Sequence, residues 1–197
     1  EYKLKSRSSH TPVLNENFTF ENFAVCPSNR LAHAAMTSCI EARTLKFNPV
    51  LVIAGEGLGK THLLQALAHR LIGRRRVCVL SAESFSESVG KSQASYTAEV
   101  LKTDAGIVEA LLFDDLHLLV EANTSREAFF NLFNNLLTKN RPIVITSALP
   151  PSRLSGFEER IVSRLLGGIT VAIEPPSFET KLSIISMMAK RVNLTLD

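Results

Sequence analysis

The sequence predicts an α/β fold in which a five-stranded parallel sheet is flanked by helices. Two observations carry this. Five short apolar runs of strand length lie at Val50–Ile53, Val77–Leu80, Ala110–Phe113, Ile143–Thr146 and Ile169–Ile173, and runs of this kind suit strands buried on both faces. Segments with apolar residues at helical spacing lie between them, and with 197 residues and 45% hydrophobic content the chain has the apolar mass for one core of ordinary size.

The bulk properties exclude several classes. With 22 basic and 19 acidic residues the formal charge is +3 and the pI is near 8.9, a mild balance that does not by itself argue for nucleic acid. Cys26, Cys39 and Cys78 are an odd set without metal-ligand spacing, in a chain showing no signal-peptide pattern. They read as reduced, buried thiols of a cytoplasmic protein. No apolar run reaches bilayer length.

Residues 1–15 are polar, carry Lys3, Lys5 and Arg7, and read as a flexible arm or linker end. Phe18, Phe20 and Phe23 cluster ahead of the first strand. Such a strip lines a base pocket or seals a core edge, and for Phe18 and Phe20 sealing is the expectation. Ser28 is expected to cap a helix that buries Leu31, Ala34, Ala35 and Ile40. The first strand then runs into Gly55, Gly57 and Gly59, and Lys60 and Thr61 open a helical pattern. Strand, glycine-rich loop and helix start together form a phosphate-binding loop. Its glycines turn successive N–H groups into one concavity, and the helix adds its free N–H groups and the positive end of its dipole. The expected phosphate-binding residues are Ala54, Gly55, Glu56, Gly57, Leu58, Gly59, Lys60, Thr61 and His62. Lys60 would reach the β and γ phosphates and Thr61 would ligate Mg²⁺. Ala54 stands where the strict motif has glycine.

Leu63, Leu64, Ala66, Leu67, Leu71 and Ile72 make the buried stripe of the helix that follows, up to Gly73. Arg74, Arg75 and Arg76 read as a solvated turn, and residues 81–103, rich in serine, read as helices with an exposed face. The third strand delivers Asp114 and Asp115 to the carboxyl edge of the sheet, 54 residues after Lys60. Asp114 would hold Mg²⁺, and Asp115 would orient or deprotonate the attacking water. Ser125 is expected to cap an amphipathic helix with Phe129, Leu132, Phe133, Leu136 and Leu137 on one face. The end of the fourth strand, Thr146-Ser147-Ala148, should lie beside the loop, where a polar side chain, with Ser147 the named candidate, either senses the γ phosphate or caps a turn. Arg160 and Arg164 share a helix face at spacing i, i+4. Arg164 is the candidate finger toward a neighbouring subunit's nucleotide, and Arg160 is expected to be held by Glu158 or Glu159. Pro175-Pro176 ends the fifth strand, and Ser177 caps a last helix. The expected organisation is an arm over 1–15, a nucleotide-binding unit over 16–175 and the first helix of a second subdomain over 176–197.

These stretches, in this order, resemble the AAA+ ATPases, and within them the DnaA family of bacterial replication initiators. The resemblance rests on Phe18–Phe23, Pro27–Ala35, Asn48-Pro49, Gly57–Leu64 with its His62, Phe113-Asp114-Asp115, Arg160 with Ser163-Arg164, and Ile173–Pro176 with Glu179-Thr180. It implies a sheet in the AAA+ order with a helical lid, ATP or ADP and Mg²⁺ as cofactors, and slow hydrolysis. It further implies ATP-dependent self-assembly on origin or single-stranded DNA and contact with a replicative helicase or its loader. In that picture Val25 lies against adenine, Arg164 is the arginine finger, and residues 86–104 match a helical insertion that contacts single-stranded DNA. There are departures. Ala148 stands at a sensor position usually held by an acid, His117 replaces a usual glutamine, and Leu165 and Gly167 replace usual aromatics. Lys91 and Lys102 alone supply cations to the insertion. A duplex-reading helix-turn-helix unit is not in the sequence, so this chain alone is expected not to recognise origin boxes. The alternatives are a regulatory paralogue that docks on an initiator, or a helicase loader.

Overall fold

The computed structural model describes residues 14–41, 46–90, 108–191 and Leu194. The strands are β1 (Val50–Ala54), β2 (Val77–Ser81), β3 (Ala110–Asp114), β4 (Ile143–Ser147) and β5 (Ile169–Ile173). They form one five-stranded sheet in the order β2-β3-β4-β1-β5, and every pairing is parallel. The helices are α1 (Arg30–Ser38), α2 (Lys60–Leu71), α3 (Ala82–Gly90), α4 (Asn123–Thr138), α5 (Glu159–Leu166) and α6 (Phe178–Arg191), with 3-10 turns at Leu116–Leu119 and Pro151–Arg153. The chain leaves β1 for the far edge and later returns past it to β5. A reversal of this kind opens a crevice outside the carboxyl end of the strand it flanks.

Strand alternation divides the core between the two faces of the sheet. Leu51, Leu111, Phe113, Ile143 and Ile145 face one cluster with Phe85, Phe129 and Phe133. Their neighbours Val50, Val52, Ala110, Leu112 and Val144 face the other, with Met36, Leu63, Leu64 and Leu67. Each fully buried side chain of this size contributes about 1.5–3 kcal/mol. Gly168 is a packing requirement: a Cβ there would lie 1.8 Å from the Pro49 carbonyl oxygen. That approach lets Ile169 N–H bond the same carbonyl at 2.9 Å and starts β5 against β1.

The structure departs from several local expectations. The cap of α1 is Asn29 rather than Ser28. Asn29 accepts the Cys26 N–H at 2.8 Å and donates to the Ala24 carbonyl at 2.9 Å. The helix accordingly buries Ala32 and Met36 and leaves Leu31 68% exposed. Ser125 does not cap α4; the helix starts earlier, at Asn123, and buries Ser125 in its first turn. Ile72 lies beyond α2 with an extended backbone and is exposed. Arg74, Arg75 and Arg76 are fastened rather than merely solvated: Arg74 meets Glu41 at 3.0 Å, Arg75 donates to the Ile40 carbonyl at 3.1 Å, and Arg76 lies 3.6 Å from Glu109. Cys39 and Cys78 are buried, but Cys26 is half-buried. Burial pushes the Cys39 thiol up to about 11.

The arm up to residue 13, and residues 91–107 with Lys91 and Lys102, lie outside the described residues; Ser86–Gly90 falls in α3. No helix among the described residues is long and apolar enough to cross a membrane.

Candidate functional site

The crevice at the end of β1 holds the glycine-rich loop. Ala54 is the last residue of β1 and is buried with the core around α2, so the methyl group where the strict motif has glycine is absorbed by packing. Gly59 caps α2 in the left-handed region at φ 93, and no side chain caps the helix. A Cβ on Gly59 would lie 2.9 Å from Phe23 Cε2, so glycine is needed for both conformation and space. The start of α2 is thereby left open toward the crevice, as an anion site requires.

Lys60 opens α2, and only 7% of it is exposed. Its Nζ donates to the Gly55 carbonyl at 3.1 Å and lies 3.8 Å from Asp115 Oδ1. A buried ammonium held this loosely can transfer its donors to a phosphate at small cost. Asp114, at the end of β3, accepts from the hydroxyls of Thr146 and Thr61. Burial is the main influence on Asp114 and raises its pKa above the ordinary value, with Asp115 adding to the rise; the two hydroxyls and Lys60 oppose it. A carboxylate in that state gains from a bound cation. Asp115 stands in the left-handed region at φ 54, an uncommon conformation for a residue with a side chain. Its Oδ1 is buried without a hydrogen-bond partner.

The sequence left the polar reach within Thr146-Ser147-Ala148, naming Ser147 as the binding residue, and the structure gives it to Thr146. Ser147 is fully buried; its hydroxyl donates to the Leu149 carbonyl at 2.6 Å and accepts the Leu149 N–H at 3.0 Å, which closes a turn. Thr146 donates to Asp114 and accepts the Asp115 N–H at 2.9 Å. The signal was present in strand periodicity, because Thr146 shares a face with Val144, which packs with the α2 residues.

Beside the loop lies a cavity of about 300 Å³ whose lining includes Gly57–Gly59, Phe18, Phe23, His62 and, from α6, Ile184, Met187 and Met188. His62 Nε2 bonds the Thr19 carbonyl at 2.8 Å. Phe18 stacks on the His62 ring at 4.8 Å, and Phe23 meets it edge-on at 5.2 Å. Phe18 therefore lines the cavity instead of sealing the core, while Phe20 packs against the core as expected. Val25, the residue placed against adenine, is 52% exposed and is not in the lining; its neighbours Ala24 and Cys26 are.

The arginine pair stands elsewhere. Arg160 bonds Glu158 at 2.9 Å and lies 4.2 Å over the Phe130 ring. Arg164, exposed in the last turn of α5, bonds Asn134 and lies 5.9 Å from Phe130. These contacts hold Arg164 to α4, and none of them is with the loop or the paired acids.

With this geometry in place, comparison identifies relatives. The family model described as the bacterial DnaA ATPase domain matches residues 14–172. The chromosomal replication initiator protein DnaA of Leifsonia xyli is 38% identical over 180 residues, which is 90% of this chain and 38% of that protein. AMPPCP-bound DnaA from Aquifex aeolicus has a TM-score of 0.84 at 34% identity, covering 94% of this chain and 59% of that one. A replication initiator DnaA bound to AMPPCP and single-stranded DNA also gives a TM-score of 0.84 at 34% identity, covering 94% and 58%. The chain spans 38–43% of the length of the first two curated relatives it matches.

Proposed function

The chain belongs to the bacterial DnaA ATPase-domain family, and on that premise we propose that it binds ATP with Mg²⁺ and hydrolyses it slowly, as a switch. In the ATP state, copies assemble on origin or single-stranded DNA. The observation that carries the reading is the meeting, at one uncapped helix start, of buried Lys60, the Asp115 oxygen that faces it without a hydrogen-bond partner, and an apolar cavity.

The roles follow from the contacts. The loop from Ala54 to Gly59 and the start of α2 cradle the phosphates, and Lys60 leaves the Gly55 carbonyl to donate to them. Thr61 and Asp114, already bonded to one another, are the residues that would hold Mg²⁺; the ion would neutralise phosphate charge. Asp115, whose Oδ1 has no hydrogen-bond partner, orients the attacking water and takes its proton. Phe18, Phe23 and His62 offer aromatic surface to the base. α6 is the first helix of a lid beginning near Pro175, and it reaches the cavity through Ile184, Met187 and Met188. Arg164 serves the nucleotide of a neighbouring copy. DNA contact, and contact with a replicative helicase or loader, would belong to the assembled, longer protein.

Calorimetric titration with ATP and Mg²⁺, followed by light scattering with ATP or ADP, tests the reading. Binding of both nucleotides, with larger species in ATP than in ADP, is expected. Absence of binding would overturn the nucleotide assignment, and equal sizes in both nucleotides would overturn the switch.

A further inference from the structure

The 3-10 turn after the paired acids brings His117 back across the sheet edge. Its Nδ1 accepts the backbone N–H of Ala148 at 3.1 Å, just beyond the end of β4, and lies 3.9 Å from Asp115 Oδ1. An amide N–H can only donate, so Nδ1 carries no proton and the ring is the Nε2–H tautomer. Two consequences follow. The contact ties the turn carrying His117 to the chain leaving β4, and so fixes the gap that Thr146 crosses to bond Asp114 and the Asp115 N–H. It also leaves no proton on Nδ1 to bond Asp115, whose Oδ1 has no hydrogen-bond partner and lies 3.8 Å from the Lys60 ammonium.

We propose that His117 is a positioning residue for ATP hydrolysis: by engaging the Ala148 N–H through Nδ1, it holds Asp115 in place and keeps its inner oxygen free to accept a proton from the attacking water. This rests on the ATPase reading above. It concerns the rate of the chemical step and not nucleotide affinity, because His117 bonds the backbone of the β4 exit and touches no residue of the glycine-rich loop among its described contacts.

The atom that matters is Nδ1, and an asparagine Oδ1 stands at nearly the same distance from the backbone. His117→Asn should therefore preserve the contact. His117→Leu, of similar bulk without an acceptor, should lose it. Single-turnover hydrolysis of ATP is expected to fall by about ten- to a hundredfold in His117→Leu, the scale of a small misplacement of a reacting group, with ATP affinity unchanged. His117→Asn should recover most of the rate. In parallel, amide exchange at Ala148 should be slow in the parent and in His117→Asn, and fast in His117→Leu. The proposal is overturned if His117→Leu turns over like the parent, if His117→Asn is as defective as His117→Leu, or if Ala148 exchanges alike in all three. A parent that shows no turnover defeats the ATPase reading and with it the catalytic role, whereas the exchange data still judge the His117–Ala148 contact by themselves.

Discussion

Two groups of charged side chains lie on this molecule under opposite conditions. Around the glycine-rich loop, Lys60 is buried, Asp114 is half-buried, and Thr146 and Thr61 bond the acid that must stay in place. On the surface formed by α4 and α5, Arg160 and Arg164 are exposed and rest on a half-buried ring, Phe130, with Glu158 and Asn134 as partners. In the first group the low local dielectric makes each charge strong and each missing partner costly. In the second, water and salt screen the charges, and intramolecular bonds there are worth little. On the proposed reading, the difference sorts the two groups by where each would act. A buried, incompletely paired set suits a ligand inside this chain, and an exposed, lightly held arginine suits the proposed surface beyond it.

Lys60→Ala should give the largest effect and tests the first half of that contrast. Removing a buried charged donor from a polyphosphate site costs about 2–5 kcal/mol, or roughly thirtyfold to several thousandfold in affinity. Calorimetry should show binding of ATP nearly abolished while the fold persists by circular dichroism. Unchanged affinity would mean the loop is not the phosphate site. Arg164→Ala tests the other half. Nucleotide affinity should stay at the parental value, and ATP-dependent assembly should weaken by about 2 kcal/mol, as for an interfacial arginine anchor. A variant that assembles like the parent in light scattering would remove Arg164 from the interface.

Much of the buried group was legible in the sequence because it is local. Gly55–Thr61 is one continuous motif, and Asp114-Asp115 ends one apolar run. The five strands were also legible, and β1 to β4 each run one residue further than their apolar stretch, into Ala54, Ser81, Asp114 and Ser147. What escaped depends on contacts between distant segments. Thr146 and Ser147 are equal as sequence, and the face of β4 separates them. The sequence sends Phe18 to the core edge and Val25 to the base, but Val25 is exposed and the stack on His62 holds Phe18 at the cavity. The bond between His117 and Ala148 joins residues 31 apart, and no spacing rule announces it.

The buried group also makes a prediction about stability. Burial raises the Asp114 pKa, so the folded state binds its proton more tightly than the unfolded chain does. Between the ordinary value of 3.8 and the raised folded value, stability must fall as pH rises, because the folded state holds the extra proton there. Above that window the ionised carboxylate is a standing cost in the absence of Mg²⁺. Asp114→Asn keeps an acceptor for Thr146 and removes the charge. In EDTA at pH 7 it should melt higher than the parent, by roughly 2–4 °C for each 1 kcal/mol relieved, and the gap should close as the pH is lowered to 3.8. A variant that melts no higher than the parent at pH 7 would show that the site is not strained by its acid.

The smallest effect belongs to the exposed group. The Phe130 ring lies under both guanidinium groups, at 4.2 Å from Arg160 and 5.9 Å from Arg164. An exposed cation–π contact is worth about 0.5–1 kcal/mol. Phe130→Ala should therefore leave nucleotide binding untouched and weaken ATP-dependent assembly by roughly twofold to fivefold, through an Arg164 that is present but less restrained. Phe130→Leu should fill the space without supplying the ring's negative face, so it should resemble Phe130→Ala if orientation of the arginines is what the ring provides. If Phe130→Leu assembles like the parent and only Phe130→Ala is impaired, the ring acts by packing α5 on α4, and the arginine surface owes its shape to the core rather than to the charges upon it.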